Sequence, residues 1–321
     1  MLQYVGRRVL AQIGLLITAT LVVFLLLHIA PGNPAVLLNG GHPPNAATIK
    51  SLDAKYALNR PLTTQYLLWI SHLLRGNLGE SIAARASVVS VLAPRFSVTL
   101  FLTAYGALIM VVFGIGIGLI SAVFRSGVAD FMATLGSLTL AGVPSYVTAV
   151  VLAVVFGIEL AWFPALGGGG VGSFFTRLHS LTLPAIALGL CSLAIVSRVT
   201  RAGAIAELQS EHVLGARVRG LSEVTIVLKH ALRGSLVPVI TIAGAQIGYL
   251  LSGAIVVEYA FGLNGLGTLL VSSVLDKDYA VVQAIALFIT AEFLMISLLV
   301  DLLYGVIDPR IRLAGSRRGG E

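Results

Sequence analysis

Charged side chains are scarce. Asp, Glu, Lys and Arg make up 11% of the 321 residues, against about 25% in a soluble domain. Hydrophobic residues reach 57% and fall in runs, so lipid rather than water is the expected solvent. Cysteine is nearly absent. The one thiol, Cys191, lies in an apolar run, which excludes an internal disulfide and fits a buried structural thiol. None of the four lysines follows a glycine, so there is no G-x-x-x-x-G-K phosphate loop, and the Gly167–Gly170 run reads as a flexible outer loop. H-E-x-x-H, C-x-x-C and G-x-S-x-G are also missing. The chain therefore has no ATPase site of its own, and soluble-type hydrolase chemistry is disfavoured. A net charge of +7 would suit nucleic acid. Here the basic residues flank apolar segments instead, and no aromatic-plus-basic pattern for stacking bases occurs.

What is present is a series of long apolar runs. A span needs ~20 apolar residues to cross ~30 Å of hydrocarbon. Six segments qualify: Val9–Ala30, Val98–Phe124, Phe131–Ile158, Leu181–Val199, Leu236–Val257 and Ala280–Val306. The first follows Arg7 and Arg8 as a signal peptide would. Its run is too long for a short h-region and no A-x-A site follows, so it reads as an uncleaved anchor. With the N-terminus in the cytoplasm, thirteen basic residues fall inside: Arg7, Arg8, Arg125, those from Arg198 to Arg233, and Arg310, Arg312, Arg317 and Arg318. The two short outer loops then hold only Arg177 and Lys277. The expectation is an all-α integral membrane protein of the inner or plasma membrane, with six spans and both termini cytoplasmic. Residues 1–30 supply the tail and first span, and 31–97 an extracytoplasmic loop. Residues 98–310 form the core with a cytoplasmic loop at 203–234, and 311–321 a tail.

The outer loop is patterned. APGNP and GHPPN are turn punctuation, and NRPLTTQYLLWISHLLRG reads as a helix. Asn59 suits its cap, Pro61 its first turn and Gly76 its end, with Tyr66, Trp69, Ile70 and Leu73 on one face. Such a segment forms a small folded cap or lies in the interface plane. Gly114, Gly116 and Gly118 stripe the second span, and Gly244, Gly248 and Gly253 the fifth, so that backbones can approach closely. Glu292 is the one acid clearly within a span, at a position where a carboxylate marks either a pathway or a packing hydrogen bond. Asp301, near Tyr304 and Arg310, suits a structural pair. Gln246, Tyr249, Ser252 and Glu292 are the candidate pathway-lining residues.

Between the fourth and fifth spans lies GARVRGLSEVTIVLKHALRGSLVPVI. Ser222 suits a helix cap and Gly234 an end, and Val224, Val227, Leu228 and Ala231 make an apolar stripe expected to rest on the bundle. Before it, Ala204–Leu214 offers a second short helix closed by Gly215. Periodicity alone leaves two readings open, an interfacial helix held by anionic lipid and a helix that docks on a partner.

G-A-R-x-R-G-L followed by K-H-A-L-R-x-S-L-V-P resembles the cytoplasmic loop of ABC-importer permeases, above all the dipeptide/oligopeptide/nickel permease family. Val218, Arg219 and Gly234 depart from its usual Ala, Lys and Asn. VFLLLHIAPGNPA, LNRPLTTQYLLW, RGNLGES, GVPSY, GAIVVEYAFGLNGLG and LLVDLLYGVIDPRIR resemble further family segments, in order and along nearly the whole chain. Asn33 and Asn77 stand where Asp is usual, and Asn264 where Pro is usual. The resemblance implies a second, homologous permease subunit, two ATP-binding-cassette ATPase subunits that carry ATP and Mg, and an extracytoplasmic solute-binding protein. It makes residues 203–234 the coupling loop, with Ala216, Arg217, Arg219, Gly220, Leu221, Glu223, His230 and Arg233 as coupling residues. No cofactor is expected on this chain. The six histidines are scattered, so no metal site is expected and peptide is favoured over nickel. A secondary transporter or channel, which would carry its own coupling-ion site in two related halves, and a lipid-surface scaffold are the competing classes.

Overall fold

The structure, a computed structural model, describes residues 2–29, 60–81, 83–167 and 173–307, with isolated positions at 45, 47 and 50. Helix α1 (Leu2–Ile29) is followed by α2 (Leu62–Leu74) and a two-stranded hairpin, β1 (Glu80–Ser81) and β2 (Ala86–Ser87). Then come α3 (Val88–Val123), α4 (Val128–Gly142), α5 (Ser145–Leu152) and α6 (Phe174–Leu208). The chain continues as α7 (Glu211–Val218), α8 (Glu223–Ile226), α9 (Leu232–Phe261), α10 (Leu266–Leu275) and α11 (Tyr279–Ile307). Five helices are long and apolar enough to span a bilayer, and α4 with α5 makes a sixth that is bent by 106°.

The bend departs from the unbroken third span expected over Phe131–Ile158. Its cause is Pro144. A proline supplies no N–H and pushes the residue before it out of the helical region, and Val143 accordingly has ψ 121°. Hydropathy records that both halves are apolar and is blind to their direction. The other spans outrun their expected limits: α3 has 36 residues and α6 has 35. At ~1.5 Å per residue each is ~50 Å long, well beyond ~30 Å of hydrocarbon.

Close backbone contact joins α3 to α6. A Cβ on Gly189 would stand 2.8 Å from the Gly106 carbonyl oxygen, and one on Gly118 would stand 2.5 Å from that of Ser197. Gly114 lies against Val196, whereas Gly116 faces open space. In the fifth span Gly244 and Gly248 receive Val300 and Phe293 of α11. The glycine stripes of the sequence are thus seams within the chain. Leu102, Met110, Leu181, Ala185, Val196, Leu250 and Val257 form the core they enclose.

Helix α2 and the β1–β2 hairpin are tied down by side-chain contacts. Tyr66 and Trp69 of α2 pack on Phe24 of α1 with ring centroids 5.4 and 5.8 Å away, and the Tyr66 and Thr20 hydroxyls are 2.9 Å apart. Asp278 accepts from the Ser81 hydroxyl at 2.5 Å and from the Ala83 N–H at 3.2 Å, which fastens the hairpin to the start of α11. Helix α2 begins after Pro61, and Gly76 past its end has φ +76°. The APGNP turn, the GHPPN turn except Asn45, the Asn59 cap, residues 168–170 of the glycine run and Arg310 with the tail lie outside the described residues. The same holds for the Asp301 and Tyr304 side chains.

The α3–α6 seam gives a paired prediction. Gly118→Val should destabilise the purified protein by about 1–3 kcal/mol through overpacking. Gly116→Val, which meets nothing within 4 Å, should be near neutral. Thermal unfolding in detergent measures both.

Candidate functional site

The loop between α6 and α9 is a helical hairpin. Helix α6 continues to Leu208, and Gly215 lies inside α7 rather than closing a helix over Ala204–Leu214. The chain then reverses at Gly220, whose φ of +79° a side chain would disfavour. The Ser222 hydroxyl accepts from the Thr225 N–H at 3.4 Å and caps α8, as its place in the sequence suggested. Gly234 does not end this helix. Glu223 through Phe261 runs on as a single rod, and Gly234 leaves room for the Glu207 carboxylate beside it. A glycine within a helix costs only about 1 kcal/mol, so close packing outweighs its preference for ends.

A wide turn at Val227–Ala231, closed by the Leu232 N–H bonding to the Val227 carbonyl, rotates the register. The apolar stripe is therefore split. Ile226 and Ala231 are fully buried, while Val224 and Leu228 are 70% and 55% exposed instead of resting on the bundle. Ile226 joins Val213 and Ala216 in a small core over Leu208. Of the other predicted coupling residues, Arg217 pairs with Glu223 through two bonds of 2.9 and 3.2 Å. Arg219, Leu221 and Arg233 are exposed. His230 stacks near His212 at 5.8 Å, and His212 in turn lies 3.0 Å from Glu207. Val218, 82% exposed, extends the outward apolar surface of Leu221, Val224 and Leu228.

One anchor of this region was not singled out from the sequence. Arg201 of α6 donates to Asp130 of α4 through Nε at 2.6 Å and Nη2 at 2.8 Å. Asp130 also accepts from the Ser121 hydroxyl at 2.5 Å and the Ser126 N–H at 2.9 Å. Three helices are thereby joined at one end of the bundle, through a bidentate pair of the strong, charge-assisted kind. Its only sequence signal is an acid in the first turn of the third span facing an arginine at the end of the fourth.

A cavity of about 550 Å³ opens beside the bend of the third span, lined by Pro144, Ser145, Cys191, Ser192, Gln246 and Tyr249 among others. It brings together two of the four candidate pathway residues. Ser252 does not line it but shares an exposed face of α9 with Thr241, Ala245, Tyr249, Val256 and Tyr259. Glu292 lies elsewhere, buried on α11, and has no hydrogen-bond partner among the described residues. Thr241, Tyr249, Ser252 and Tyr259 thus form a polar stripe along the outside of a membrane-spanning helix, where lipid satisfies no hydrogen bond.

Residues 114–313 match the family model described as "Binding-protein-dependent transport system inner membrane component", and residues 1–103 match the N-terminal model of the same kind of component. The chain belongs to that family. It is the membrane-embedded permease subunit of an ABC importer, which works with an ATPase and a solute-binding protein. It is 39% identical over 312 residues to the glutathione transport system permease protein GsiC of Pectobacterium atrosepticum, covering 97% of this chain and 99% of that one. The proteins of the same name from Escherichia coli and Salmonella typhimurium are 38% and 37% identical, with the same coverage.

The hairpin turn carries a prediction. Gly220→Ala forces a β-carbon into the left-handed region at a cost of about 1–2 kcal/mol. Local opening of the hairpin should rise roughly tenfold. Limited trypsin digestion of the purified permease, followed at Arg217 and Arg219, measures it.

Proposed function

We propose that this permease supplies half of a peptide pathway across the inner membrane, with a second, homologous permease completing it. The carrying observation is the polar stripe on α9 beside the cavity at the Pro144 bend. Tyr249 is 70% exposed at a depth where polar groups ordinarily turn inward or toward water. A water-filled route shared with a partner subunit meets that requirement. Gln246, Tyr249 and Ser252 are its lining. Glu292, turned away on α11, is assigned to packing.

Peptide cargo is supported by the relatives named for glutathione, which is a short peptide, over nearly the whole length of the chain. The stripe offers hydroxyl groups and the adjoining cavity the Gln246 amide, with no charge in either, which suits the peptide backbone. Nickel would call for a ligand cluster, and the described residues bring together no group of three His, Cys, Asp or Glu fit for a metal.

The hairpin of α7 and α8 is the coupling element, facing the cytoplasm as the excess of basic residues on that side favours. Val218, Leu221, Val224 and Leu228 form its docking surface for the ATPase pair, which binds ATP and Mg. Arg219, Lys229 and Arg233 surround that surface with positive charge, and Gly220 sets its turn. Closure of the ATPase pair moves the hairpin. Because α7 packs under the end of α6 and α8 is continuous with α9, both spans follow, and the complex rocks between inward- and outward-open states.

Tyr249→Ala combined with Gln246→Ala should lower peptide uptake about tenfold in proteoliposomes that contain the full complex, with ATPase retention unchanged. Uptake equal to the parent would place the route elsewhere.

A further inference from the structure

The resemblance that marks Arg217 as a coupling residue treats it as one basic residue among several. Its geometry sets it apart. Both Nε and Nη2 face the Glu223 carboxylate, a two-pronged contact that fixes direction as well as distance. The contact joins α7 to α8 directly across the reversal at Gly220. On the inner side of that reversal the two helices share only Val213, Ala216 and Ile226. Three side chains on elements of eight and four residues are a slight foundation for a fixed angle. The backbone closes the turn with the Gly220 N–H on the Arg217 carbonyl at 2.9 Å and the Leu221 N–H on the Ala216 carbonyl at 3.3 Å. The ion pair is the one side-chain bridge among the described residues between α7 and α8.

We propose that Arg217 and Glu223 are a positioning pair. They set the angle between α7 and α8, so that Val218 on one side of the turn and Val224 and Leu228 on the other present a single apolar surface to the ATPase. Arg217 itself does not touch the ATPase, and the docking cations are Arg219, Lys229 and Arg233. This rests on reading the hairpin as the ATPase contact. It also separates stability from coupling. The two side chains are 41% and 64% exposed, and exposed ion pairs add little to folding stability. Loss of the pair should therefore leave the permease folded and misalign what it presents.

The test uses the permease purified with its ATPase subunits and reconstituted with the solute-binding protein. Arg217→Glu and Glu223→Arg are made singly and together, and peptide-stimulated ATP hydrolysis is read beside the thermal midpoint. Each single reversal should lower stimulated hydrolysis about tenfold with the midpoint held, and the double reversal should restore it to within about twofold of the parent. If the double variant stays as low as the singles, Arg217 meets the ATPase directly and the proposal is overturned. Single variants that match the parent overturn it as well. Where a reversal does not insert, Arg217→Gln removes the charge at similar length and should show the same loss of stimulation. A separate arm keeps the underlying reading distinct. Val224→Glu lies outside the pair and should release the ATPase from the purified permease. If the ATPase stays bound and stimulated in that variant, the docking reading itself fails, whatever the charge reversals show.

Discussion

Hydrocarbon offers helices no hydrophobic reason to associate, so this bundle depends on how closely its backbones can approach. The α3–α6 seam is where that approach is tightest. Gly106 and Gly189 face each other with no side chain between them, and Gly118 sits against the Ser197 carbonyl. The rest of the structure is arranged around α6. Helix α4 is tied to it through Asp130 and Arg201, α7 packs under its end at Leu208, and α9 closes over Leu188 with Gly253.

The same solvent requires that buried polar groups be satisfied from within. Three carboxylates answer that requirement at the ends of the spans, Asp278 through Oδ2 alone, its Oδ1 being without a partner among the described residues. Asp130 holds α3, α4 and α6 together, and Asp278 holds the β1–β2 hairpin to α11. Glu258 is fully buried near the end of α9, where it accepts from the Thr99 hydroxyl at 2.5 Å and the Gly267 N–H at 2.6 Å. The carboxyl group there also faces the N-terminus of α10, whose free N–H groups it accepts from. Gly265 and Gly267 keep the space around that carboxylate open. The polar residues of the bundle thus include rivets, which join segments at the rims, Glu292, buried on α11, and the α9 stripe, which joins no other element among the described residues.

Much of this was legible from residue order. Apolar runs located the six spans because length and hydropathy are all that crossing a bilayer demands. The glycine spacing of α3 and α9 announced close contact, and the GARVRGL segment announced a short helical excursion between two spans. What could not be read depends on three-dimensional register. Pro144 was visible, but a bend of 106° was not, since proline within a span is often absorbed as a kink. Val224 and Leu228 followed the expected period, and one wide turn moved them to the surface. Glu258 lay in a quoted motif, yet its partners are Thr99, far earlier in the chain, and two backbone amides beyond the next turn. No local pattern connects those groups.

The helical run from Glu223 to Phe261 joins the α7–α8 hairpin at one end of the bundle to the rim where Glu258 is seated. That run is interrupted twice, by the wide turn at Val227–Ala231 and by Pro238 within α9, the two kinds of position at which long helices bend. On the proposed coupling, displacement of the hairpin therefore reaches the Glu258 socket only after those two places have taken their share.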